Sequence, residues 1–463
     1  MVDVATDGSE RVLRTLARRI RSAVGGAGDS SSAGVAGRFA GLAYIFRIAN
    51  AGIALLTQIA LARWMGAHEF GIYIYVWTWV ILLGAVTTVG LASSSQRFVP
   101  TYTERGDLDR LRGFLIGGPW LAFGLATVSS VLALGVLLLA REAIESWLFI
   151  PMLLGIGCLP LFVLSEVNEG IARAYDWPTV ALAPAYLVRP LLLLAILAAL
   201  HLAGFRTDAV SAMSAAIAST WATAFLQSLA VARRLKRRVE PGRRIYAPGE
   251  WLRYSFPQFL VEGFYLLLTY CDVVILQGFV PPGDVAIYYA ATKLSSLVAF
   301  VFFSVAAASA HKFTQLHVTG RREDLAAFLR LTIKWTFLPS LSTAILVLIL
   351  GLPLLELFGP GFAAGYPALA ILLLGLMARA SIGPVEKLLT MLGQQSICAL
   401  VYALAFATNI ALNIAFVPSF GITGAAVATS SALVLESILL FVMAKRRLGL
   451  HVFFWGGGRD MVS

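Results

Sequence analysis

Charge is scarce in this chain. Only 13% of its 463 residues are Asp, Glu, Lys or Arg, 59% are hydrophobic, and the mean hydropathy is +0.81. A soluble surface carries roughly twice that share of charge, so the expected class is an integral membrane protein. Cysteine is nearly absent: Cys158, Cys271 and Cys398 all fall inside apolar runs, an odd number without metal or disulfide spacing. That argues against a disulfide framework and makes them packing residues. The five histidines, His68, His201, His311, His317 and His451, form no spaced pair with a second ligand type, so neither a metal nor a cofactor is expected. A phosphate-cradling glycine loop is also missing. The stretch after Arg11–Arg21 holds no apolar core with a cleavage site, so the basic segment is not expected to be a signal peptide.

The formal charge of +11 invites a nucleic-acid reading, but the basic residues are divided among short loops between apolar runs instead of sharing one solvated face. They therefore read as a topology signal, with no nucleic-acid partner. From Phe39 onward twelve runs are long enough to span a bilayer, which takes about 20 residues each. They fall near 39–62, 70–95, 114–140, 147–170, 179–203, 209–232, 254–279, 285–310, 331–355, 364–389, 397–418 and 422–444. Of the 36 Lys and Arg residues, 29 lie on the side shared with both termini, three on the other side (Arg63, Arg141, Arg206) and four inside spans. By the positive-inside rule both termini are cytoplasmic.

One unit is used twice. LARWMGAHEFGIYIY (Leu61–Tyr75) returns as LQGFVPPGDVAIYYA (Leu276–Ala290), an offset of 215 residues. SSSQRFVPTYTERGDLDRL (Ser93–Leu111) is likewise answered by AAASAHKFTQLHVTGRREDL (Ala306–Leu325). An even number of spans in each half gives two parallel six-helix lobes about an axis along the membrane normal. The expected organisation is a basic arm at 1–38, an N-lobe at 39–232, a basic linker at 233–253, a C-lobe at 254–447 and a tail at 448–463. The arm alternates Val12, Leu13, Leu16 and Ile20 with arginines, which fits either a helix lying on an anionic leaflet or a disordered basic tail.

Ionisable residues within a bilayer cost roughly 2.5–3.5 kcal/mol each and normally face a partner or a wet cavity. Arg47, Arg189, Lys293 and Arg379 are the candidate substrate-binding cations, and Glu262 and Asp272 the candidate acidic groups. The repeat puts Glu262 at the point equivalent to Arg47. Arg189 precedes Pro190, where a helix kink or a snorkelling side chain competes evenly with a site. Asp272 is read as ion-coupling, paired with Lys293, or capping a helix end. Glu166, Glu169, Glu386 and Lys387 read as gate or interfacial charges, and Glu436 as protonated or paired. Trp64, Tyr73, Tyr75, Trp77, Trp79, Trp147, Trp177, Trp251, Tyr288 and Tyr289 lie near span ends and are assigned to interfacial belts.

LARWMGAHEFGIYIY with GLASSSQRFVP, YCDVVILQGFVPPGDVAIYYAATKL and the closing FGITGAAVATSSA (Phe420–Ala432) resemble the half-signatures of polysaccharide and lipopolysaccharide (O-antigen-type) flippases of the multidrug/oligosaccharidyl-lipid/polysaccharide superfamily. The resemblance covers nearly all of 39–447. It implies a twelve-helix fold with a central cavity opening alternately to either side, and passage of undecaprenyl-diphosphate oligosaccharides to the outer leaflet of a bacterial cytoplasmic membrane. It also implies a polysaccharide polymerase and a chain-length regulator as partners. Four cations and two carboxylates suit a diphosphate head with a means of coupling. Two alternatives stand beside this reading. A multidrug exporter of the toxin-extrusion branch usually has an acidic residue in its first span, where this chain has Arg47. A membrane glycan polymerase needs catalytic groups in a sizeable outer loop, and these outer turns are a few residues long.

Overall fold

The computed structural model describes residues 32–318, 322–449 and 452–453; the predicted amphipathic arm lies almost wholly outside them, as does most of the tail. The described chain is all-helical. Its helices are α1 (Ser32–Thr88), α2 (Leu91–Glu104), α3 (Leu108–Leu139), α4 (Ser146–Ala174), α5 (Pro178–Leu202), α6 (Ala209–Arg238), α7 (Pro248–Gln277), α8 (Pro282–Val318), α9 (Arg322–Glu356), α10 (Tyr366–Ser381), α11 (Val385–Met391) and α12 (Gln395–Leu448). Among the described residues nine helices are long and apolar enough to cross a membrane, and the 47° bend between Pro248–Leu260 and Glu262–Gln277 makes α7 a tenth.

Local chemistry sets the ends and the breaks. Asp107 caps α3 by accepting from Arg110 N at 3.1 Å, and Asp208 with Ser211 forms a reciprocal capping box on α6. Pro178 and Pro248 open α5 and α7 at the position where a missing N–H costs nothing. α5 widens into a π-turn at Pro184–Val188, between two residues that cannot donate, Pro184 and Pro190. Arg189 therefore does sit at a helix distortion. In α1 the chain turns at Gly66 (φ 78°, ψ 166°) and in α12 at Gly421 (φ 55°, ψ −131°), conformations open to glycine and strained for other residues. The run expected at 364–389 is not one helix. Gly383 (φ 63°) and Pro384 separate α10 from α11. The run at 70–95 also breaks, at Val89 (φ 46°) and Gly90 (φ 72°).

The turns of the two repeat copies pack on each other. A Cβ on Gly71 would lie 1.7 Å from the Pro282 carbonyl oxygen, Phe70 meets Tyr289 at 6.2 Å between ring centroids, and Gly421 faces Val280. The neighbouring turns join them: Arg63 Nε donates to the Leu357 carbonyl (2.6 Å), satisfying an orphan acceptor at the end of α9, and Thr207 donates to Trp64 O (2.7 Å). One apolar core at this turn end draws on both halves of the chain, with Leu61, Phe70, Tyr73, Tyr288, Phe358 and Phe362 among its members. Toward the opposite, basic end the core divides. One part runs from Val80 to Trp251 and the other from Phe313 to Val452. Tyr73, Tyr288, Tyr289 and Trp251 are thus core residues, correcting their assignment to interfacial belts; close packing between helices outcompetes the interface for these rings.

Candidate functional site

Where the core divides, a cleft of about 240 Å³ opens between the broken α1–α2 junction, α4 and α7. Ile81, Thr88, Gly90 and Ser93 line one wall, Phe162 and Glu166 a second, and Phe259, Glu262 and Leu266 a third. The break at Val89–Gly90 makes this possible. Gly90 lies against the α7 backbone, where a Cβ would meet Ser255 O at 2.7 Å, so α2 crosses α7 closely enough for Ser93 Oγ to donate to Glu262 Oε1 at 2.6 Å. Gln258 donates to the same oxygen (3.0 Å), and one step further Ser255 Oγ donates to Ser94 Oγ (2.7 Å). Beside the cleft lies an almost wholly apolar groove of about 380 Å³ formed by Trp79, Leu82 and Val86 of α1, Leu267 and Val274 of α7, and Ile410 and Ile414 of α12. The two share Ala85, Phe259, Gly263 and Leu266. A polar pocket and an apolar groove therefore lie side by side, with these four residues as their common wall.

The structure brings only some of the predicted residues together. Glu262 faces the cleft, and Glu166, expected as a gate or interfacial charge, joins it there. Arg189 stands behind one wall, 5.3 Å over the Phe162 ring and 5.7 Å over Trp77. The Arg47 backbone lies in α1, and its side chain is outside the described residues. Lys293 lies 4.6 Å over the Tyr289 ring. Arg379 sits apart, inside the second half, 3.3 Å from both Glu386 and Glu436, with the Phe302 ring at 4.9 Å. Glu436, fully buried, is a paired residue. Arg189, Lys293 and Arg379 do not gather around one cavity.

Asp272 has an environment that the sequence reading missed. Its carboxylate is 3% exposed and accepts from Tyr288 Oη (2.7 Å), Asn413 Nδ2 (2.9 Å) and Thr429 Oγ1. Asn413 Nδ2 also reaches Asn409 Oδ1 (3.0 Å), and Cys271 Sγ donates to that same oxygen (3.0 Å). The expected partner Lys293 is absent from this set, as is every other cation among the described residues. Four helical arms supply the cluster: α7, α8 and both sides of the Gly421 turn in α12. A signal was present in FATNIALNIAF, where Asn409 and Asn413 stand one turn apart in an otherwise apolar run. The Asn413 carbonyl oxygen has no protein donor. The buried carboxylate is thus held by neutral donors, two hydroxyls and one amide N–H, in place of a cation.

The chain is thus an all-helical bundle with paired repeat turns, a core that divides toward the basic end and a polar cleft beside an apolar groove. Its fold resembles the inward-facing conformation of a multidrug resistance MATE family transporter of the MOP superfamily (TM-score 0.72, 15% identity, 86% of this chain and 94% of that one). It also resembles lipid II flippase MurJ in its inward closed conformation (TM-score 0.67, 16% identity, 87% of each chain). The chain belongs to the polysaccharide biosynthesis protein family, which matches residues 40–311. It is 26% identical over 200 residues to the probable flippase AglR of Haloferax volcanii, spanning about 40% of that relative's length.

Proposed function

We propose that this protein is a flippase that carries a lipid-linked oligosaccharide across the membrane for surface polysaccharide synthesis. The observation that carries the reading is the Glu166–Glu262 cleft lying directly against the apolar groove, with Ala85, Phe259, Gly263 and Leu266 lining both. Each sugar hydroxyl costs about 2–7 kcal/mol if buried unpaired. A polar cleft takes the head while the groove lets the tail stay among apolar groups. The undivided core at the turn end and the divided core at the basic end support a state closed on one side and poised to open on the other, which is what alternating access between two lobes, 39–232 and 254–447, requires.

Helix length supports a reading of twelve crossings. A helix of 54 residues would extend about 81 Å at 1.5 Å per residue, against roughly 30 Å of hydrocarbon. Both Ala51–Glu104 and Gln395–Leu448 have that length, and each contains a glycine break. Folded at Gly66 and Gly421, they raise the ten spans to twelve, with both termini on the basic, cytoplasmic side. The diphosphate of an undecaprenyl-type carrier is assigned to Arg189 and Arg47, and the inside-negative potential favours its outward passage by about 2.3 kcal/mol per charge per 100 mV. Coupling is assigned to Asp272 with Asn409, Asn413 and Thr429, through a proton or sodium ion.

Proteoliposomes loaded with a labelled undecaprenyl-diphosphate oligosaccharide test this. Wild type moves the label, Arg189→Ala and Arg47→Ala slow it, and Asp272→Asn uncouples movement from an imposed ion gradient. The second reading, a cation-coupled multidrug exporter, draws on the two carboxylates in the cleft. Export of a cationic dye without movement of the lipid-linked sugar would put it in the first reading's place.

A further inference from the structure

A cavity of about 530 Å³, larger than the cleft, lies at the basic end between α3, α4, α6 and the extended segment 239–247. It is within the roughly 300–1,000 Å³ range of ligand sites. It takes no part in the pathway described above. We propose that it binds one anionic phospholipid, with the headgroup phosphate against Lys236 and Arg244 and an acyl chain along Ile116, Trp120 and Leu235.

The charge is unspent at one end. Lys236 and Arg244 are exposed and have no ion-pair partner among the described residues, whereas Arg112 at the same rim is already held by Asp109 (2.8 Å) and by the Glu240 carbonyl (2.7 Å). With the Asp109–Arg112 pair neutral, Glu240 offsets one of the two remaining cations, and the rim stays positive. The opposite end is apolar and open to the bilayer: Trp120 is 66% exposed and Ile116 36% exposed on the outer face of α3. The polar pair in the inner wall is self-satisfied, Asn168 Nδ2 donating to Ser228 Oγ at 2.9 Å, so it does not oppose an acyl chain.

The crevice is also built in advance. Ile245 N donates to Asp109 O at 3.0 Å, and Gly113 lies so close to this segment that a Cβ would be 1.9 Å from Ile245 O. The segment carrying Arg244 is thereby fastened to α3 as a fixed wall. Basic pockets between membrane helices on the cytoplasmic side suit anionic headgroups, and each nearby cation is worth about a fivefold change in partition.

The probe is brominated-acyl phosphatidylglycerol or brominated-acyl phosphatidylcholine, diluted into phosphatidylcholine vesicles holding the full-length protein. The part of the tryptophan quenching that disappears in Trp120→Phe reports this site. Phosphatidylglycerol is expected to quench it at about tenfold lower mole fraction than phosphatidylcholine, and Lys236→Gln with Arg244→Gln to erase that preference while helicity and melting temperature hold. Equal quenching by the two lipids in wild type, or a preference that survives the double substitution, overturns the proposal. So does loss of the preference in millimolar inorganic phosphate alone, which would leave a phosphate ion as the ligand. Native mass spectrometry gives an independent decision: wild type is expected to retain phosphatidylglycerol and the double variant to lose it, and equal retention refutes the site.

Discussion

Gly71→Ala tests the closed turn end most directly. The added Cβ would lie 1.7 Å from the Pro282 carbonyl oxygen and 2.5 Å from its carbon, both backbone atoms that no rotamer change can move aside. Ordinary contact begins near 3.4 Å, so α1 and α8 must separate by about 1.7 Å, half a contact distance. Overpacking of this kind costs about 1–3 kcal/mol. Only the state in which the repeat turns touch bears that cost, so the equilibrium shifts toward the state open at this end by about 5- to 150-fold. A cysteine at Tyr289, whose ring meets Phe70 across the two halves, reports the change through an impermeant maleimide added from the side opposite the basic loops. Labelling is expected to accelerate by that factor in Gly71→Ala. Gly283→Ala in the facing turn is the control, because its Cβ would find only ordinary contact at 3.8 Å and should leave the rate unchanged. An unaltered rate in a folded Gly71→Ala protein would refute the reasoning.

Arg379→Met alone strands Glu436 in the interior and is expected to cost about 3–5 kcal/mol in detergent melting experiments; adding Glu436→Leu should recover most of that loss. Gly113→Ala should lift the segment 239–247 from α3 at a cost of about 1–3 kcal/mol, read as severalfold faster tryptic cleavage after Arg243 or Arg244. Glu250→Gln removes a 3.7 Å ion pair with Arg110 between side chains that are 46% and 44% exposed, so the melting temperature should move by the equivalent of less than about 1 kcal/mol.

Much of this architecture was legible from the chain alone, because a bilayer imposes few choices. Apolar length dictates helices, glycine and proline mark where they break, and the two related turns at Leu61–Tyr75 and Leu276–Ala290 announce a duplicated unit. The sequence also carried the intramembrane charges as a list. Tertiary structure decided what each one does, because the rotation of a helix about its own axis is set by packing against its neighbours and not by the run of residues along it. Arg379 has the same residue type as Arg189, yet one is locked between two glutamates of its own half and the other lies over Phe162 at the wall of the cleft. Asp272 gained partners 141 and 157 positions away, on the two sides of a single turn, while Lys293, 21 residues distant, turned toward Tyr289. Position along the spans alone places the aromatic residues of the repeat turns at the membrane surface. They became the seal between the two halves once the turns met, since burying those rings against each other removes more apolar surface than leaving them at an interface.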